Sequence, residues 1–141
     1  MEFIKKITDK IERFKERRKY GFELNELWSL DYTIIKFVIP RLKVFRERTI
    51  GFPADFYYAN PDEPTQEELN IIHTGGCPIP TEEASARWMA VLDHMIWSME
   101  EWIKEDGFFW DSKLGEIDKE KEKKVQEGFD LFHKYFFALW D

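Results

Sequence analysis

With 141 residues, 43% of them hydrophobic and 35% charged, this chain has enough apolar content for one folded domain and too much for a disordered one. A net charge of −7 argues against a dedicated nucleic-acid binder, and no run of ~18 uncharged apolar residues offers a membrane span. The single cysteine, Cys77, excludes an intramolecular disulfide or a Cys-rich zinc site and suits a reducing cytosol.

The charge is uneven. Residues 1–19 carry eight basic and four acidic side chains, net +4, and the remainder carries 13 against 24, net −11. The charged N-terminus has no apolar core of the kind a secretory signal needs. A first helix is predicted over about 2–19, ended by Gly21. Ile4, Ile7, Ile11 and Phe14 make a narrow seam along it, too short for a stable isolated coiled coil. The seam is expected to pack on the domain or on a second copy. The basic helix also suits an acidic partner or a membrane surface.

A second helix is predicted over about 24–49. Pro40 lies inside it, removes the hydrogen bond to the Lys36 carbonyl and is expected to kink it. At about 100° per residue, Leu27, Ile34, Val38, Leu42 and Phe45 share a face. Asp31 falls inside that arc and Arg41 on its shoulder. A carboxylate buried there needs a partner, a proton or a ligand. Asp31 and Arg41 are separated by roughly 15 Å along one helix, so each needs a partner from another element.

Residues 50–80 hold five of the six prolines. They read as a long crossover connection, packed down by Phe52, Phe56, Tyr57 and Tyr58. Thr65 and Glu68 have capping-box spacing, which predicts a short helix from Thr65 to about His73. The HTGGCP segment at 73–78 lacks both the phosphatase-loop arginine and the Walker Gly-Lys-Ser/Thr, and reads as a turn.

A third helix is predicted over about 81–104, with Thr81 as N-cap and an apolar face running from Trp88 to Ile103. Trp97 points the other way, among Asp93, His94 and Glu101. Trp97, His94 and Glu101 are therefore candidates for an interface, the alternative being that another segment of this chain covers Trp97. A fourth helix is predicted over about 116–140. Its first half is charged. Its second half is apolar around most of its circumference, with Phe129, Phe132, Phe136 and Trp140 at the centre and His133 beside them.

Two site hypotheses follow. Asp31, Arg41 and His133, with Arg87 or Asp93 at the edge, form a candidate buried polar group: a register-fixing salt-bridge network, or the polar centre of an aromatic pocket for an anionic, nucleotide-like ligand. In the second, Asp130-x-x-His133 supplies one carboxylate–histidine pair of the kind that di-metal bundles use, but its counterpart is missing. No catalytic residue, metal ligand or cofactor is assigned.

At WSLDYTIIKFVIPRLKVFRE, RWMAVLDHMIW and GFDLFHKYFFALWD the chain resembles a group of small proteins from tailed bacteriophages and viral metagenomes. The likeness covers most of the second, third and fourth predicted helices, not the first helix or the 50–80 connection. The group has no established activity, so the resemblance carries over no site residue. It implies a phage origin, a host-cytoplasm setting and, by analogy, an accessory factor that binds host or defence components.

The expectation is thus a single all-α domain, an irregular four-helix bundle with a Pro-kinked second helix and a long packed crossover loop. Its expected function is non-enzymatic binding that occludes a host or defence component, with a host or phage protein as partner and homo-oligomerisation open. The alternatives are sequestration of a nucleotide-like molecule, with Arg41 or Arg87 on its phosphate, and a carboxylate/His metal site.

Overall fold

In this computed structural model residues 1–140 are described, the Phe3 side chain excepted. The protein is all-α. Five α-helices follow in chain order: α1 Glu2–Tyr20, α2 Leu30–Arg48, α3 Gln66–His73, α4 Thr81–Lys104 and α5 Lys119–Lys134. Short 3₁₀ turns cover Leu24–Ser29, Ala54–Tyr57 and Phe136–Ala138. The chain divides into two compact units, residues 1–38 and 39–141.

In the first unit, α1 runs from an acidic first turn at Glu2 to a basic last turn at Arg17–Lys19, the polarity that the helix dipole favours. Gly21 ends it in the left-handed region (φ 86°), with its N–H on the Arg17 carbonyl at 2.9 Å. The second predicted helix does not start at Leu24. Residues 24–29 form a 3₁₀ turn, opened by Glu26 accepting the Glu23 N–H at 2.9 Å, and α-helical geometry begins only at Leu30. The buried acid of this unit is Glu23, not Asp31: Glu23 is 7% exposed and paired with Arg17 and Arg13.

Pro40 lies inside α2 without ending it. Within the second unit, the C-terminal half of α2 is tied to α4 by Arg46 on Asp93 and Lys43 on Glu100. The crossover connection is packed, as its aromatic content predicts. Phe56 is buried in a ring cluster with Trp88 and Tyr135, centroids 5.4–5.5 Å apart. The capping box forms at α3: Glu68 N–H donates to Thr65 Oγ1 at 3.2 Å, and Thr65 N–H to Glu68 Oε2 at 2.8 Å. Glu68 also accepts the Ala59 N–H at 2.8 Å, which closes the loop between them. Pro80, not Thr81, takes the cap position of α4.

Around α4 the core is deepest: Ala84, Trp88, Leu92, Met95, Ser98 and Met99 are all at most 2% exposed. Helix α5 crosses α4 at Gly128. A Cβ added there would lie 2.0 Å from Ser98 Oγ and 2.9 Å from the His94 carbonyl oxygen, so glycine is what lets the two backbones approach. Residues 110–117 are a hairpin, not the start of a helix. Strands β1 (Trp110–Asp111) and β2 (Glu116–Ile117) pair antiparallel, with Asp111 Oδ1 accepting the Lys113 and Leu114 N–H groups across the turn. Asp118 then caps α5 by accepting the Lys121 N–H at 2.9 Å.

The predicted fourth helix also ends early. After Lys134 the chain tightens into a 3₁₀ turn, with Tyr135 buried but Phe136, Phe137 and Trp140 54%, 90% and 76% exposed. The expected centre at Phe136 and Trp140 is therefore a surface. Once the helix stops at Lys134, helical spacing no longer sets where those rings point.

Candidate functional site

The buried polar group expected around Asp31 is not assembled. Asp31 is exposed, in the first turn of α2, where its carboxylate accepts the Tyr32 N–H at 2.9 Å. A position inside a continuous helix would have put it in an apolar arc. The 3₁₀ turn before Leu30 makes it a helix-start acid instead, and Leu27 and Ile34 of the same arc are themselves about half exposed. Arg41 and His133 are exposed as well. Arg87 is half-buried and held by the connection. It donates to the Tyr58 and Ala59 carbonyls at 3.3 and 3.0 Å and pairs with Glu83. Asp93 is engaged bidentately by Arg46 at 2.8 and 2.9 Å, which holds its carboxyl below the usual range and raises Arg46. The sequence reading missed Arg46. Its signal was a basic position on the α2 face opposite the acid of another helix, a pairing that one sequence does not reveal.

The three interface candidates on α4 face α5 of the same chain. Trp97 is half-buried, with the Lys124 ammonium 5.8 Å from its ring centre and His94 5.9 Å away on its own helix. His94 Nε2 is 2.9 Å from the Lys124 carbonyl oxygen. Glu101 binds Lys121 at 2.7 Å, and Lys121 reaches Glu105 at 3.0 Å. These bonds to Lys121 hold Glu101 below the usual carboxylate range, and the two glutamates raise Lys121. Of the two readings of Trp97, interface or cover by the same chain, the charged half of α5 supplies partial cover, with Lys121 and Lys124 beside the ring at the cleft they share. Lysine stems are apolar along their length and do not register as an apolar face.

A shallow cleft of about 260 Å³ opens where Trp97 meets Asp118, Glu120, Lys121 and Lys124. It is mixed in charge. For the metal alternative, Asp130 is exposed and accepts from the Gln126 amide at 2.9 Å. Among the described residues no three His, Cys, Asp or Glu side chains come together as metal ligands.

The site with the clearest shape lies elsewhere. A mostly apolar cleft of about 240 Å³ is formed by the Thr49–Pro53 loop, Trp88, Ala138 and Trp140. Its floor is Trp88, 1% exposed; its rim carries Ile50 and Trp140, 94% and 76% exposed. Phe137 stands next to the rim in the chain, with its ring against Phe136 at 5.6 Å. Thr49 is buried, and its hydroxyl donates to the Gly51 carbonyl at 3.3 Å, which turns Ile50 outward. The stops that build the cleft, Gly51 and Pro53 after α2 and the run FFALW after α5, are visible in the sequence. That they meet over Trp88 is not.

No family model matches the chain, and neither the curated proteins nor the solved structures give a match.

Proposed function

We propose that this chain is a small binding protein whose cleft at Thr49–Pro53, Trp88 and Trp140 receives an apolar side chain of a partner protein. One observation carries the reading: a mostly apolar cleft over the buried Trp88 ring carries two large apolar side chains, Ile50 and Trp140, that the chain itself leaves exposed. Contiguous exposed apolar surface over a pocket is what anchor residues of a partner fill. Charge supports a basic surround on that partner, because residues 39–141 carry 12 basic against 21 acidic side chains. Following the phage resemblance, the reading extends to a host or defence component, occluded on binding in the host cytoplasm. The nucleotide-like alternative draws less support. The Arg87 guanidinium is committed to two backbone carbonyls and Glu83, and the described cleft lining includes neither Arg41 nor Arg87.

The test is site-specific photo-crosslinking in bacterial cells, with p-benzoylphenylalanine at Ile50 or Phe137 and, as control, at Lys123 on the exposed face of α5. The expected result is one discrete protein adduct from the rim positions that disappears in the Trp140→Asp background. Equal adducts from Lys123, or none from either rim position, would sink the reading.

A further inference from the structure

Helix α1 carries a second surface, distinct from the cleft. Its seam residues Ile4, Ile7, Ile11 and Phe14 are 68%, 44%, 49% and 66% exposed. At about 100° per residue they fall within an arc of roughly 80°. Lys10 and Arg17 border that arc on one side; Lys15 and Lys19 border it on the other. All four acidic residues of the helix, Glu2, Asp9, Glu12 and Glu16, lie on the far half. Lys5, Lys6 and Arg13 share that far half and Arg18 falls within the arc itself, so bases run round the whole helix while the acids are kept off the seam side.

We propose that α1 docks in the plane of an anionic lipid surface. A flat negative surface meets both basic shoulders at once, while the four acids stay on the far side, Glu16 there accepting the Leu24 N–H at 3.1 Å. The lysine stems lie along the apolar–polar boundary and carry their ammonium groups out to phosphate, and the isoleucines and Phe14 enter the headgroup boundary. The helix has 19 residues, about 28 Å, enough to lie flat with every seam residue engaged. Seam-to-seam pairing with a second copy is disfavoured, because lysines would flank lysines in either direction. Arg17 also serves Glu23, so Lys10 is the main charge on its shoulder.

Vesicle flotation of the full chain tests this, with vesicles of phosphatidylcholine alone and of phosphatidylcholine mixed with phosphatidylglycerol. The chain is expected to float with the anionic vesicles only, and to be released at about 1 M salt, where the screening length is about 3 Å. Lys10→Glu with Lys15→Glu should weaken binding by at least about 30-fold, and Ile7→Asp with Ile11→Asp should abolish it. All four side chains are exposed, and an unchanged thermal melt by circular dichroism shows that the variants still fold. Failure to float with anionic vesicles overturns the proposal, as does equal flotation with neutral ones. So does a dimer in sedimentation that Ile7→Asp dissolves, or binding of an acidic amphipathic peptide in place of lipid.

Discussion

Residues 1–38 and residues 39–141 use similar helical patterns and bury them very differently. In the first unit an isoleucine seam at helical spacing lies open, and among the described residues Glu23 and Ile35 are the two that it buries. In the second, α4 presents a face of the same kind and buries it almost completely. Spacing makes a helix amphipathic, but only a second surface of matching shape removes that face from water. For α4 this surface comes from α5, through the Gly128 crossing, and from the Phe56 turn. The α1 seam has basic shoulders and suits a surface that the chain does not itself supply.

The sharpest way to break this contrast is to truncate one apolar side chain from each unit. Trp88→Ala removes a ring that is 1% exposed and packed against Phe56 and Tyr135, and is expected to cost about 3–5 kcal/mol of unfolding free energy in urea. Ile7→Ala, at a site 44% exposed, is expected to change it by less than about 0.5 kcal/mol. Comparable losses at the two sites would mean that the α1 seam is buried in solution.

A smaller effect tests the crossing. Gly128→Ala drives a methyl into Ser98 and is expected to cost about 1–3 kcal/mol, with Ser98→Gly in the same chain recovering part of the loss. Strict additivity of the two changes would show that the helices do not touch there. Ser98 Oγ has no hydrogen-bond partner, so its place in the core is steric, and a smaller residue suits it.

Asp31→Ala is expected to cost less than the Gly128 change. A buried network would make it cost more than ~1.5 kcal/mol. In the first turn of α2, accepting one backbone N–H, Asp31 should contribute below about 1 kcal/mol, read as a shift in urea midpoint at constant slope. A larger loss would restore the buried-acid reading.

Asp31 also shows where a sequence reading loses its footing. Its arc assumes one helix from Leu27 onward, yet the chain is 3₁₀ through Ser29, so the phase of that arc is not realised. The acid that is buried, Glu23, stands three residues before Glu26, the same spacing as Thr65 and Glu68. That local signal was legible at 65–68 and overlooked at 23–26. Trp97 is half-buried for another reason: the Lys124 ammonium of α5 stands 5.8 Å from its ring, and periodicity scores a lysine as solvent. The Trp140 side of the cleft rim is hidden from a sequence reading because Phe129, Phe132, Phe136 and Trp140 read as one helical centre as long as the last helix runs to the C-terminus.

The sequence by itself determined the all-α class, the Gly21 stop, the capped α3, the extent of α4 and the packing-down of the 50–80 connection. Each rests on chemistry local to a few residues: a left-handed glycine, a reciprocal cap, one long apolar face, a cluster of rings. Only the tertiary structure decided which faces are covered, that Arg46 takes Asp93, that Gly128 meets Ser98, and that the loop after α2 closes over Trp88 with the end of the chain. Burial is a property of two surfaces, and a one-dimensional pattern specifies only one of them.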